Sequence, residues 1–450
     1  MNHPRTNSVA IIGGGLSGLS TAVHLQLADP TIKISLLEAS PRIGGVIDTE
    51  REGDFLIDCG ADMFATQPPA AINLLNRIGV EDQLIRPQQL GRGARIVHRG
   101  RLVDLPDGFV LMRATKLWPM MTTPLLSMPG KLRFLCERWV GPPSASSEHD
   151  ISVAEFVRRR LGDEVLQNIV GPLVAGIYTA DVEKLSMEAT MGPMANMVRK
   201  HGSLAKATTA RRRTGEDKVE RGSSGARYEQ FRAFAGGMIR LIESLSQSLP
   251  ADSIRTSAAV DLLRRTDSQW ELRVHGDSHS FDQVVIATPP KSAARLLSEI
   301  APAAAQDLAA IESASTAIVV LAVPRINIAA DVSTFGFVVP PQEKRQILAA
   351  SFASNKFAGR APADHVLIRV FIGGILQSHL LQRSDSELVQ LAEEELADLI
   401  GLSGEPTLTR VVRWNHAMPQ YHVGHRQRVA RIEHAIEELP GIWLVNNALH

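Results

Sequence analysis

Near the start of the chain, Gly13-Gly14-Gly15-Leu16-Ser17-Gly18 carries glycines at the first, third and sixth positions of a G-x-G-x-x-G run. That spacing suits the handling of phosphate. Gly13 permits a tight turn off a strand, Gly15 lets the backbone approach a pyrophosphate, and Gly18 lets helix and strand pack closely. The helix N-terminus adds free N–H groups and a partial positive charge. Glu38 lies twenty residues beyond Gly18, where an acid accepts ribose hydroxyls. Alone, the hexapeptide is weak evidence.

Other candidate chemistry is poorer. Tyr421, His422 and His425 lie close together, but two histidines three apart in a glycine-containing stretch make a poor metal site, and no metal is expected. Cys59 and Cys136 form neither a disulfide framework nor a zinc box, which fits a reducing, cytoplasmic environment. Nothing resembles a Ser-His-Asp set with motif context.

The elements that must position the glycines are legible. Val9–Ile12 is an apolar run that reads as a strand. Leu19, Ala22, Val23 and Leu27 space as one face of a helix, Asp29-Pro30 breaks it, and Ile32–Leu37 reads as a second strand. Strand, glycine turn, helix, strand and terminal acid together give a dinucleotide-binding βαβ unit. Two features favour FAD as the dinucleotide. Ala39-Ser40-Pro41-Arg42-Ile43-Gly44-Gly45 follows Glu38, with a second glycine pair for close backbone approach and Arg42 to offset phosphate charge. Val284–Pro289 reads as a buried strand ending in small residues.

Beyond this unit, Gln67–Arg77 reads as helix and Ala94–Leu105 as strand, turn and strand around Gly100. Leu117–Leu135 reads as short helices and irregular structure or as a membrane-touching surface, because Pro119, Pro124 and Pro129 forbid one continuous helix. Gly141–Asp150 is a linker, and Ser152-Val-Ala-Glu155 opens a helix. Arg158–Arg160 reads as a solvated face and Lys200–Arg227 as a mobile loop. Strands are expected over Ser253–Leu263, Trp270–His275, Ala317–Val323, Phe335–Val339, Ile347–Phe352, Val366–Phe371 and Ile442–Val445. Helices are expected after Gly236-Gly237 and over Ser386–Ile400. With 450 residues, and Lys plus Arg balanced against Asp plus Glu at 48 each, the chain lacks the basic surplus that nucleic acid requires. No run of about 20 apolar residues is present to span a bilayer.

These features resemble the flavoprotein superfamily of amine oxidases, phytoene desaturases and porphyrinogen oxidases. Longer segments resemble specifically the family of protoporphyrinogen and coproporphyrinogen oxidases: Phe55–Phe64, Ser152–Gly162, Gly171-Pro-Leu-Val-Ala-Gly176-Ile-Tyr-Thr-Ala-Asp181, Phe234–Met238 and Pro419–His425. The resemblance spans nearly the whole chain. It implies an α/β fold, with a doubly wound, Rossmann-like FAD-binding domain in three parts (1–75, 228–295 and 416–450). A mixed-sheet substrate domain (76–115 and 296–415) and a helical, membrane-proximal region (116–227) are inserted into it.

The resemblance implies cofactor contacts from Gly13, Gly14, Gly15, Leu16, Ser17, Gly18, Glu38, Ala39 and Arg42, then Gly45, Val46, Gly60, Ala61, Asp62, Met63, Val260 and Asn447. It implies Arg95, with Arg99 as rival, for a substrate propionate, Gly176 for a carbonyl contact to the tetrapyrrole, and Phe335, Val338 and Phe371 around its rings; for these last three, core packing is the competing reading. The reaction would remove six electrons from protoporphyrinogen IX, or alternatively coproporphyrinogen III, in three two-electron steps. Molecular oxygen would be reduced to peroxide, with no catalytic side chain beyond the flavin. Peripheral membrane contact and a homodimer also follow by analogy. Family members continue past the last strand with a glycine-containing segment around the flavin; the sequence stops inside that region, which implies weaker FAD retention. Another flavin amine oxidase or desaturase, and a non-catalytic flavin or tetrapyrrole binder, are the alternatives.

Overall fold

A computed structural model describes residues 7–89, 93–141, 150–215, 230–266 and 268–449. Its centre is a five-stranded, all-parallel sheet in the order Ile254–Arg255, Lys33–Leu37, Ser8–Ile12, Gln283–Ile286, Ile442–Leu444. The central strand reads Ser-Val-Ala-Ile-Ile and is buried from Val9 to Ile12, as expected for a parallel strand covered on both faces. On one face Leu19, Ala22 and Val23 of helix Leu16–Ala28 meet Leu241, Ile242 and Leu245 of helix Ile239–Gln247. On the other lie a three-stranded antiparallel sheet, Val260–Arg265, Trp270–Val274 and Asp277–Phe281, and the helices Pro290–Leu297, Pro302–Ala309 and His425–Glu437.

A second, seven-stranded mixed sheet orders as Leu408–Pro419, Ser313–Pro324, His365–Gly373, Ala349–Phe352, Gly336–Val338, Arg95–His98, Arg101–Asp104. The twelve residues Ser313–Pro324 pair on both sides and are buried almost throughout. Helix Asp385–Ile400 starts at a capping box made by Ser384 and Glu387 and packs on this sheet through Leu388, Leu391 and Leu396. A third body is helical, from Trp118–Thr122 to Leu204–Thr214, around Phe109, Val157, Ile169 and Met194. Among the described residues no helix is long and apolar enough to cross a membrane.

Several expectations need correction. Lys200–Arg227 is not all loop: Leu204–Thr214 is helical, its start fixed by the Ser203 hydroxyl, which accepts the Lys206 N–H, and by the buried Glu137 carboxylate, which accepts the N–H groups of Leu204 and Ala205 at 2.7 and 2.9 Å. Residues 216–227 of that stretch, and 142–149 of the linker, lie outside the described residues. Arg158–Arg160 is not one solvated face, because Arg160 is 2% exposed and pairs with Glu137 at 3.2 Å. The strand expected over 253–263 divides. Ile254–Arg255 joins the parallel sheet, Ser257 turns with φ 51°, and Val260–Arg265 belongs to the antiparallel one. Strand Leu408–Pro419 and helix His425–Glu437 were not anticipated.

Candidate functional site

The parallel strands end at a cavity of about 570 Å³ whose wall includes Gly13, Gly15, Glu38, Ala61, Val260, Thr288 and Trp414. The carboxyl ends of a doubly wound sheet are where such folds bind ligands. Glycines stand along the wall at Gly13, Gly15, Gly44 and Gly45. Gly13 has φ +113°, and a Cβ there would stand 2.7 Å from the Ala287 carbonyl oxygen; a Cβ on Gly18 would stand 1.9 Å from the Gly13 carbonyl oxygen. Both must be glycine for turn and helix to close. A Cβ on Gly15 would meet no atom within 4 Å, so its backbone opens on free space. Helix Leu16–Ala28, which starts there, has no side-chain cap and no acidic residue in its first turn.

Glu38 is held in place. One carboxylate oxygen accepts the Gly14 N–H at 2.6 Å and the other the Ser40 N–H at 2.8 Å. A carboxylate has about four lone-pair sites, so it can still accept from a ribose. Beside Gly13 the Thr288 hydroxyl oxygen is buried with no hydrogen-bond partner, a group a ligand could satisfy. Open space at Gly15, an uncapped helix start, a fixed carboxylate and an orphaned hydroxyl fit the diphosphate and ribose of a dinucleotide.

Gly13, Gly15, Leu16, Ser17, Glu38, Ala39, Gly45, Val46, Ala61, Val260 and Asn447 line this cavity. The other expected cofactor residues stand behind the wall. Gly14 donates to Glu38, and Gly18 packs on Gly13. Arg42 donates to the carbonyls of Gly45, Ile43 and Ile47 at 2.8, 3.2 and 3.2 Å; it clamps its own loop, where the sequence reading gave it to phosphate. Gly60 leaves room for the Val46 carbonyl, which a Cβ would meet at 1.8 Å. Met63 packs beside the core around Phe234. Asp62 turns into a buried ionic cluster, with Lys356 at 2.7 Å and Arg369 at 3.0 Å. Burial alone would raise its carboxyl, but Lys356 and Arg369 outweigh burial and hold it well below the usual carboxylate range. In the same cluster Asp58 pairs with Arg360 at 3.2 Å, and burial leaves its carboxyl raised despite that partner.

The sequence reading missed Arg295 and the segment Trp414–Ala417, which also line the cavity. Arg295 donates to the Val260 carbonyl at 3.3 Å, and Trp414 donates from its indole to the Cys59 carbonyl at 2.8 Å. The Val411-Val412-x-Trp414 run carries a weak strand signal that would have pointed here.

The five substrate-side positions do not line the cavity. Gly176 and Val338 come together, since a Cβ at Gly176 would stand 3.4 Å from a Val338 methyl. Phe335 is 3% exposed, with its backbone tied to Gly93 and Phe352. Phe371 is half-buried with the Arg369 guanidinium 5.4 Å from its ring centre. Arg95 pairs with Asp104 at 2.8 Å and Asp331 at 3.1 Å, so its charge is already met by two carboxylates. At the rival Arg99 the backbone turns with φ 53° and its N–H goes to Glu343 at 2.7 Å. Among the described residues no group of three His, Cys, Asp or Glu side chains could hold a metal ion. His422 and His425 instead flank the start of a helix, where burial lowers the pKa of both.

Residues 16–448 match the family of flavin containing amine oxidoreductases. The chain belongs to that family. This flavin amine oxidoreductase is therefore an oxidoreductase with FAD as its cofactor, and the cavity beside Gly15 is where the chain's residues fit it. It is 34% identical over 473 residues to the coproporphyrinogen III oxidase of Propionibacterium freudenreichii subsp. freudenreichii, covering 98% of this chain and 87% of that one. It is 31% identical over 442 residues to the coproporphyrinogen III oxidase of Bacillus subtilis (strain 168), covering 97% and 92%. To protoporphyrinogen oxidase 2 of Arabidopsis thaliana the identity is 25%, over 98% of this chain and 89% of that one. A crystal structure from Exiguobacterium sp. 255-15, assigned by name to protoporphyrinogen oxidase, superposes with TM-score 0.85 at 29% identity, over 99% and 95% of the two chains.

Proposed function

We propose that this flavin amine oxidoreductase oxidises a porphyrinogen to the porphyrin, with coproporphyrinogen III as the first candidate and protoporphyrinogen IX as the second. The observation that carries the proposal is end-to-end similarity to enzymes named for these reactions, with the coproporphyrinogen III oxidases at 31% and 34% identity and the Arabidopsis protoporphyrinogen oxidase at 25%. Bound FAD would supply the redox chemistry, accepting a hydride equivalent in each of three two-electron rounds while a second proton leaves the macrocycle for solvent, and oxygen would take up the electrons with two protons as peroxide. The chain's own residues hold and exclude. The helix start at Leu16 and the Gly15 backbone receive the pyrophosphate, and Glu38 accepts the ribose hydroxyls. Gly176, Val338 and Phe371 offer small and apolar surface to a flat macrocycle. Membrane contact is supported by Trp118 and Trp139, 77% and 76% exposed, with Leu117, Met128 and Leu132 also exposed nearby. Aromatic and aliphatic side chains of this kind suit a lipid interface, and sedimentation with anionic vesicles tests the reading. A homodimer is proposed from the resemblance alone and is read by light scattering.

The test of function is an assay of FAD-loaded protein with each porphyrinogen, admitting oxygen to an anaerobic mixture and following porphyrin fluorescence and peroxide. Acceleration over the enzyme-free rate with coproporphyrinogen III, and at least tenfold less with protoporphyrinogen IX, is expected. Loaded protein that accelerates neither would sink the proposal.

A further inference from the structure

Five ionisable side chains are buried together just behind the cavity wall: Asp58, Asp62, Lys356, Arg360 and Arg369, none more than 9% exposed. Two carboxylates face three cations, so one positive charge is left over. Two carboxylates that act on the neighbouring Cys59 are engaged elsewhere, Asp48 near Arg42 at 3.6 Å and Glu50 with Arg410 at 2.9 Å. Burying an unbalanced charge costs stability, and a neutral side chain at position 369 would remove that cost.

Arg369 is tied to the backbone beside the site. It donates to the carbonyl of Gly60, whose neighbour Ala61 lines the cavity. A second nitrogen lies 3.0 Å from Asp62, the guanidinium lies over the Phe371 ring, and its Nε–H is buried without a partner. Its charge thus stands behind one backbone layer of the cofactor cavity, in surroundings of low dielectric where a fixed charge acts strongly on charge that develops nearby.

We propose that Arg369 is a positioning residue whose buried, unneutralised positive charge stabilises the negative charge that the flavin gains on reduction, and so raises the flavin's reduction potential. The inference rests on the proposed binding of FAD in the cavity beside Gly15, with its flavin ring against Ala61. At the hydride transfer of each round the substrate gives up two electrons and one proton and is one unit more positive until it loses a second proton to solvent, while the flavin ring system becomes one unit more negative. The cation behind Gly60 favours the second change without exchanging anything itself.

The test is a flavin potential, read by equilibration with redox dyes, in FAD-loaded variants. Arg369→Met lowers the reduced-to-oxidised ratio at fixed potential by roughly tenfold, about 30 mV for a two-electron couple. Arg369→Lys, which keeps the charge, recovers more than half of that change. Asp62→Asn, which adds one to the net charge, moves the ratio the other way. Should Arg369→Met fail to fold, Lys356→Met removes a unit charge from the same cluster without touching the Gly60 carbonyl, and it must lower the ratio too. Charge-removing and charge-adding variants that shift the potential in the same direction, or not at all while FAD is retained, would overturn the proposal alone. A parent chain that takes up no FAD would overturn the reading of the cavity and this proposal with it.

Discussion

The cofactor cavity and the substrate-side positions are built in opposite ways. Around Gly13, Gly15 and Glu38 the turn, the helix start and the acid are set by spacing within one βαβ unit and close against Ala287. At Arg95, Gly176, Val338 and Phe371 each position arrives from a different element. Arg95 and Phe337 are register partners across parallel strands, and Arg95 also pairs with Asp331. A backbone wall tolerates almost no change at its closing glycines. An assembled face depends on charges and packing from distant segments, and its polar groups are claimed by one another.

The sharpest way to break this contrast lies in the assembled part. Removing Glu137 strands the buried Arg160 and two helix N–H groups, so Glu137→Ala should cost about 3–5 kcal/mol in a denaturant titration; a cost below ~1 kcal/mol would mean that distant assembly matters little. Next come the glycines. Gly18→Ala forces atoms to within 1.9 Å and should weaken FAD binding up to about 100-fold, the effect of ~1–3 kcal/mol of overpacking. Gly15→Ala meets open space, so the flavin-free chain should melt unchanged while FAD affinity falls. Equal effects of both on the flavin-free chain would erase the distinction between closing and contacting glycines.

A smaller effect is expected at His425. Burial lowers its pKa, so the native state prefers the neutral ring. The stability gained is complete above the unfolded value of about 6.5 and is lost as pH falls through the lower native value. The melting temperature should drop between pH ~7 and ~5, and His425→Gln should flatten that slope; an unchanged slope would assign it to other groups, His422 first. The smallest effect is at Arg95. With both of its ion pairs on partly exposed carboxylates, Arg95→Ala should cost about 1 kcal/mol or less and leave KM for the porphyrinogen within threefold. A KM rise of tenfold or more with kcat unchanged would return Arg95 to the substrate.

The same contrast explains what the sequence made legible. The turn at Gly13, the helix after Leu16 and the acid at Glu38 could be read because spacing within about 25 residues determines them. Both strands of the first βαβ unit, the turn at Gly100 and the capped helix after Ser384 were legible for the same reason. Trp414–Ala417 was not, because its strand pairs with Ser313–Pro324 about a hundred residues earlier and its own alternation is weak. The burial of Arg160 was hidden because its partner lies 23 residues upstream in a short helical turn. Arg42 was ambiguous because a cation beside a glycine pair can answer phosphate or its own loop, and here it donates to the carbonyls of Gly45 and Ile47.

The parallel sheet takes its strands from residues 8, 33, 254, 283 and 442 onward, and the cavity's wall runs from Ile12 to Asn447. While the polypeptide is still emerging from the ribosome, its earliest motif therefore waits for wall residues as far along the chain as Asn447. Flavin capture must await assembly of the whole wall, so a cell short of riboflavin would accumulate folded but unloaded chains rather than stalled ones.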